Sequence, residues 1–232
     1  MTLSVIVPIY NEDQTCIEIL KRVNAVDIDK EIIVVDDGSA NDISPAIYAA
    51  AIPNLRLIAH THNQGKGAAI RTGLAEATGD IVIIQDADTE YSPEDYPRLL
   101  TEFKAKRVKA VYGVRDLSGR SPLMKFGNYF VTWATNLLYG SSLKDMETCY
   151  KMVDRRLFQS LDLVSTGFEI EAEISAKLLR LKIPIAQVPI QYTARTVGKK
   201  LTPMDGIPTL FMLLKTLMWQ PSEQVKLAVS KE

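Results

Sequence analysis

Two cysteines, Cys16 and Cys149, and two histidines, His60 and His62, are all that this 232-residue chain has of those residue types. Two distant thiols make neither a disulfide framework nor a zinc ligand set, and they read as small buried hydrophobes. The histidines flank Thr61 at a strand-like end with no third histidine or cysteine cluster, so they read as core or loop residues rather than ligands. Net charge is also scarce. Lys and Arg number 27 against 28 Asp and Glu, giving −1, so no global basic field exists to recruit nucleic acid or an anionic membrane. No apolar run reaches the roughly 18–20 residues that span a bilayer. Met1–Val5 enters a strand-like segment without a charged leader region or cleavage site. The expectation is a cytoplasmic protein that meets the membrane face, if at all, through a local patch. Repeats, low-complexity tracts and long linkers are absent too.

What the chain does have is a globular balance, 47% apolar and 24% charged, in a length that suits one large domain with a small appendage. Short β-branched runs alternate with helix-length segments. Strands are expected at Leu3–Pro8, Glu31–Asp36, Leu55–His60, Asp80–Gln85 and Val108–Val114. Helices are expected at Glu12–Ala25, Ile43–Ala51, Gly65–Ala77 and Pro93–Lys106. Continuous runs such as Ile32–Val35 and Ile81–Ile84 mean burial on both faces, the mark of a parallel sheet covered by helices. The alternation predicts a doubly wound, mostly parallel α/β sheet. The second half is less regular. Helices are expected at Leu123–Tyr139, Phe168–Arg180 and Pro203–Trp219, strands at Thr148–Val153 and Ile185–Tyr192, and a fraying polar tail after Pro221. The division is residues 1–202 as the main domain and 203–232 as an apolar helix with its tail.

In an open parallel sheet, ligands bind beyond the carboxyl ends of the strands. Here those ends read Pro8–Glu12, Asp36–Ser39, Asn63–Gly67, Gln85–Asp88 and Gly113–Arg115. Asp86 and Asp88, one residue apart after a buried strand, suit a single divalent cation that bridges a diphosphate, with Glu90 as a third oxygen ligand. Asp36 and Asp37 suit hydrogen bonds from a base or ribose. Gly65-Lys66-Gly67 opens a helix whose N-terminus favours anions, although no Walker loop is present. Arg195 and Lys199-Lys200 form a basic loop suited to phosphate. The run Lys104, Lys106, Arg107, Lys109 reads as a solvated face.

Taken in order, these segments resemble the family 2 glycosyltransferases with the GT-A fold, from Val5 to about Leu201. Pro8, Tyr10 and Glu12 resemble the opening nucleotide loop, Val34–Ser39 the base-holding segment, Asn63, Gln64, Gly65 and Lys66 the third segment, and Asp86-Ala87-Asp88 the metal motif. The segments Asp86–Asp95, Asp145–Lys151, Gly167–Glu169 and Arg195–Lys199 resemble the dolichyl- and polyprenyl-phosphate sugar synthases within that family. The resemblance implies an inverting, Mg²⁺- or Mn²⁺-dependent hexosyltransferase. Its donor would be a nucleotide sugar of the GDP-mannose or UDP-glucose type, and its acceptor a lipid phosphate. Such an acceptor is already anionic, so cations that steer two phosphates together matter more than a strong base. Arg115, Lys125 and Arg195 are the candidates, with Asp145 positioning the acceptor. A soluble saccharide or protein acceptor would instead need a carboxylate base, Asp145 or Glu147. This sequence departs from many relatives in carrying Glu90 in place of glutamine and in lacking transmembrane helices after the catalytic domain. Peripheral membrane contact through Leu210–Trp219 and Leu123–Tyr139 is therefore expected, those helices otherwise packing on the core, in a homodimer or on a separate membrane subunit.

Overall fold

The computed structural model describes residues 1–13, 15–195 and 206–230. A seven-stranded mixed sheet forms the centre, in the order β3-β2-β1-β4-β6-β5-β7. Its left half is β1 (Leu3–Ile9), β2 (Lys30–Asp36), β3 (Leu55–Ala59) and β4 (Ile81–Ile84), all parallel. Val5 stands level with Ile32 and Ile83. These runs are continuous rather than alternating because helices cover both faces, and every residue of β4 is buried. The right half is β5 (Ala110–Arg115) parallel to β7 (Ile185–Ile190), with β6 (Lys151–Asp154) inserted antiparallel between β4 and β5. Because β6 runs backwards, its entry segment, Asp145–Tyr150, arrives at the same sheet edge as the exits of the parallel strands. That reversal was not legible in a four-residue run.

Helices α1 (Cys16–Ala25), α2 (Ser44–Ala49), α3 (Lys66–Glu76) and α4 (Tyr96–Lys106, entered through a 3₁₀ turn at Pro93–Asp95) follow the early strands. The first helix starts four residues later than expected. Asn11 takes a left-handed conformation, φ 50°, which asparagine tolerates. Its N–H donates to Ser39 Oγ at 3.0 Å and its Oδ1 accepts from the Ala40 N–H at 2.8 Å. The strand exits of β1 and β2 are thereby tied together, and Glu12 is presented from a loop instead of a helix. Gly65, at φ 98°, lies so close to the Thr166 carbonyl that a Cβ would meet it at 2.3 Å, so only glycine serves at the entry to α3.

The later helices are α5 (Pro122–Tyr139), α6 (Arg155–Ser160), α7 (Ile170–Arg180), α8 (Gly206–Leu217) and α9 (Glu223–Ser230). The first residues of the helix expected from Pro203 lie outside the described residues. Two expectations are corrected. The tail after Pro221 is helical, with Val225 wholly buried. Lys109, expected on a solvated face, donates from Nζ to the Ala228 and Val229 carbonyls at 3.1 and 3.0 Å, closing orphan acceptors at the end of α9.

Helix α5 is built inside out. Its buried positions include Asn128, Thr132 and Thr135, while Leu123, Phe126, Phe130, Trp133 and Leu137 form an exposed stripe at alternating spacings of three and four. Neighbouring α8 repeats the pattern with exposed Ile207, Phe211, Leu214 and Met218. Tyr139 at the end of α5 donates to the Leu213 carbonyl of α8 at 2.5 Å, so the two stripes sit on adjacent helices.

Candidate active site

A cleft of about 600 Å³ opens at the sheet edge where β1, β4 and β5 end. One side is lined by Pro8, Tyr10, Glu12, Asp37, Asn63, Lys66, Asp86, Ala87 and Asp88. The other is lined by Arg115, Arg120, Asn128, Glu147 and Arg195, with an apolar throat of Leu123, Met124, Phe126 and Val131 from α5. One end is therefore acidic, the middle cationic and the mouth apolar.

At the acidic end, Lys66 Nζ lies 2.7 Å from Asp86 Oδ1. Burial pushes the Asp86 carboxyl up, and the Lys66 ammonium more than offsets it, leaving it below its ordinary value. Among the described residues, Asp88 has no such partner at hydrogen-bond distance, and the cation paired with it is Arg195 Nε at 3.7 Å. Burial, with the charges of Asp86 and Glu90, pushes Asp88 up to about 7. A buried carboxylate held so high lacks a cation, and two aspartates plus diphosphate oxygens and waters suit a hard divalent ion. The residues present thus fit Mg²⁺ or Mn²⁺. They do not include Glu90 as expected. Its carboxylate accepts from Tyr192 Oη at 2.7 Å, Arg120 Nη2 at 3.1 Å and the Arg195 N–H at 2.8 Å. Both oxygens are already engaged, and no group of three or more His, Cys, Asp or Glu suited to a metal occurs among the described residues.

The exits of β2 and β3 are held by their own side chains. Asp37 Oδ1 lies 2.7 Å from His60 Nδ1 and accepts from the Gln64 N–H at 2.9 Å, and Oδ2 accepts from the Gly65 N–H at 2.7 Å. Asp36 accepts from the Ser39 N–H and hydroxyl at 3.1 and 2.6 Å. Asp37 lines the cleft and Asp36 does not. Gln64 is exposed and contributes its backbone, while Asn63 beside it reaches the cleft. His60 bridges Asp37 and Thr72, matching its reading as a structural residue. Cys16 and Cys149 are buried free thiols.

The cationic middle is more elaborate than the sequence suggested. Arg115 holds Asp145 in a bidentate pair, Nε to Oδ2 at 2.7 Å and Nη2 to Oδ1 at 2.8 Å, and Asn128 Nδ2 adds a contact at 3.3 Å. Burial opposes the charge on Asp145, but Arg115 holds its carboxyl below the usual range. Asp145 does not line the cleft. It stands behind Arg115 and holds that guanidinium by both oxygens. Lys125 is likewise absent from the cleft lining. Its neighbours Met124 and Phe126 line the cleft, as does Arg120. The Arg115 and Arg120 guanidinium carbons lie 5.3 and 5.1 Å from the Tyr192 ring centre, a stacking that fixes both planes. Arg195 forks onto Glu12 at 3.0 and 3.1 Å. Lys199 and Lys200 lie outside the described residues.

Arg120, Asn128 and Glu171 line the cleft without a sequence motif that marks them, and Glu147 lines it too. It makes no protein hydrogen bond among the described residues, and burial pushes its carboxyl up. Glu171 was hidden because only the apolar positions of α7 were read for periodicity, whereas Ile170–Leu178 is buried on all sides.

A doubly wound sheet whose strand exits gather an aspartate pair and several arginines around one cleft is the architecture of the GT-A glycosyltransferases. The chain belongs to Glycosyl transferase family 2, whose profile matches residues 4–161. It is 39% identical over 230 residues to an undecaprenyl-phosphate 4-deoxy-4-formamido-L-arabinose transferase of Erwinia tasmaniensis, covering 94% of this chain and 69% of that protein. It is 30% identical to a dolichyl-phosphate beta-glucosyltransferase of Drosophila melanogaster, covering 88% of this chain and 70% of the relative. The chain spans 66% to 69% of the length of four such arabinose-transferase relatives. Glucosyl-3-phosphoglycerate synthase of Mycobacterium tuberculosis, in complex with Mn²⁺, UDP-glucose and phosphoglyceric acid, shares the fold. Its TM-score is 0.73 at 23% identity, over 95% of this chain and 81% of that one.

Proposed function

We propose that this chain transfers a hexose, with inversion, from a nucleotide sugar of the GDP-mannose or UDP-glucose type to a polyprenyl phosphate at a membrane surface. The observation that carries the reading is one cleft that joins an acidic diphosphate end, a fixed pair of arginines and an apolar throat. The named activities of the undecaprenyl- and dolichyl-phosphate relatives support it.

The acceptor phosphate would dock on Arg120 and on the edge of Arg115 left free by Asp145, since guanidinium forks match phosphate oxygens. A phosphate oxygen then attacks the anomeric carbon as the bond from that carbon to the donor β-phosphate oxygen breaks. The nucleophile already carries charge, so no base need take a proton. Lys66 and Arg195 face the charge that develops on the departing nucleoside diphosphate. A divalent ion held by Asp86 and Asp88 would neutralise that same charge. Asp37 shapes the pocket of the base by fixing the Gln64 and Gly65 amides.

Leu123 and Phe126 belong both to the throat and to the exposed stripe of α5. An isoprenoid tail leaving the cleft would therefore run onto the apolar faces of α5 and α8. No described helix is long and apolar enough to cross a membrane, so these faces would lie in the interface with their aromatic residues at headgroup level. Flotation with anionic liposomes tests this. Co-flotation that is lost in a Phe126→Ser/Trp133→Ser variant of unchanged stability is the expected result. A protein that stays at the bottom of the gradient overturns it.

A further inference from the structure

In the wall of the cleft, four charged side chains form a chain of alternating sign: Asp86, Lys66 and Glu171, which line it, and Lys151, buried behind them. Lys66 Nζ lies 2.7 Å from Asp86 Oδ1 and 3.3 Å from Glu171 Oε1. Lys151, fully buried, donates to Glu171 Oε2 and to the Thr148 carbonyl, both at 2.5 Å. Glu171 Oε1 is also buried and receives no hydrogen bond. An acceptor left open in this way costs stability unless another state fills it. The nearest donor is Lys66, whose hydrogen bond goes to Asp86 instead.

We propose that Lys66 is a resident counter-ion of the donor site, handed from Asp86 to Glu171 when a divalent cation takes Asp86. The inference rests on the metal-assisted reading above. With no metal, Asp86 would be a buried carboxylate beside Asp88, and the ammonium supplies the missing positive charge. A dication held by the Asp86 carboxylate would repel that ammonium. Glu171 Oε1 is already within 3.3 Å, so a rotation of the lysine stem completes the handover without moving the backbone. Lys151 keeps Glu171 in place meanwhile. The ammonium then stands beside the diphosphate with hydrogens to donate, so metal and donor bind more tightly together than singly.

Calorimetric titration of the full chain with Mn²⁺ alone tests this, with thermal unfolding followed for every variant. Lys66→Met removes the competitor and should tighten Mn²⁺ binding about ten-fold, whereas Glu171→Gln removes the alternative seat and should weaken it by about as much, as strongly coupled neighbours do. In the double variant the Glu171→Gln effect should vanish. Unchanged affinity in Lys66→Met, or fully additive effects, overturns the handover while leaving the metal site standing. Wild-type protein that binds no Mn²⁺, even with a nucleoside diphosphate, overturns both. Should Lys66→Met fail to fold, the Lys66 Nζ resonance of wild type under Mg²⁺ titration decides. A saturable shift supports the handover, and an unmoved signal overturns it.

Discussion

Replacing Asp88 by asparagine should make the metal-free protein more stable while abolishing its transfer activity. The carboxyl is raised from 3.8 to about 7 by burial and by the Asp86 and Glu90 charges. At ~1.4 kcal/mol per pH unit that gap has an upper bound of roughly 4 kcal/mol. Asp86 and Asp88 share that titration, so the share freed by removing one charge is about 1–3 kcal/mol. Because the folded-state value lies above the unfolded one, the folded protein holds this proton more tightly. The stability it contributes is complete below about pH 4 and is lost as pH rises through about 7. Asparagine keeps the oxygen that accepts the Glu90 N–H at 3.1 Å but carries no charge at any pH. In chelator at pH 8 the variant should therefore melt roughly 3–8 °C above wild type, and the difference should shrink toward pH 4. Added Mn²⁺ should raise the wild-type midpoint and leave the variant unmoved, with transfer down more than about 100-fold, as expected when a charge-stabilising group is lost. Thermal unfolding across that pH range reads all of this. A variant less stable than wild type at pH 8, or a difference independent of pH, refutes the reasoning.

The other expectations follow from particular contacts. Arg115→Ala strands Asp145 as a buried unpaired charge, so urea unfolding should show a loss of about 3–5 kcal/mol. Arg115→Lys should fold better yet lose catalytic efficiency, because a lysine cannot hold Asp145 in a fork and still face the cleft. Arg195→Lys, which gives up the two-pronged contact now made to Glu12, should lower kcat/KM by about ten-fold or more. Wild-type efficiency would reduce Arg195 to a surface charge. Val225→Asp buries a carboxylate under α9 and should lower the melting midpoint, measured by circular dichroism. No change would mean that α9 is not docked in solution.

The left half of the molecule was legible because its signals are local. A buried parallel strand writes itself as an uninterrupted run, and Ile81–Ile84 followed by Asp86 and Asp88 carries both the strand and its candidate site residues in eight residues. The right half was less legible because its logic is long-range. The four residues of β6 do not state that they run backwards, yet that reversal delivers Glu147 to the cleft and Asp145 to the back of Arg115. Glu90 looked like a ligand by spacing alone. What decides its role is Tyr192 and Arg120, about 100 and 30 residues away. Arg120 lay in a polar loop with nothing nearby to single it out, and only stacking on Tyr192 makes it part of a site. The inverted helix α5 was half read. Its aromatic residues are visible as a surface, but Asn128, Thr132 and Thr135, though at helical spacing, are polar and so do not announce a buried face.

The most direct test of the central claim uses one labelled nucleotide sugar and two lipids, a polyprenyl phosphate and the corresponding polyprenyl alcohol, presented in the same vesicles. The arrangement of Arg115 and Arg120 around a nucleophile that needs no base, with Lys66 on the departing diphosphate, predicts label in the organic-extractable lipid only with the phosphate. It also predicts one nucleoside diphosphate released per sugar, and loss of both signals on chelation. Equal transfer to the alcohol, or transfer to the phosphate undiminished in chelator, would contradict it.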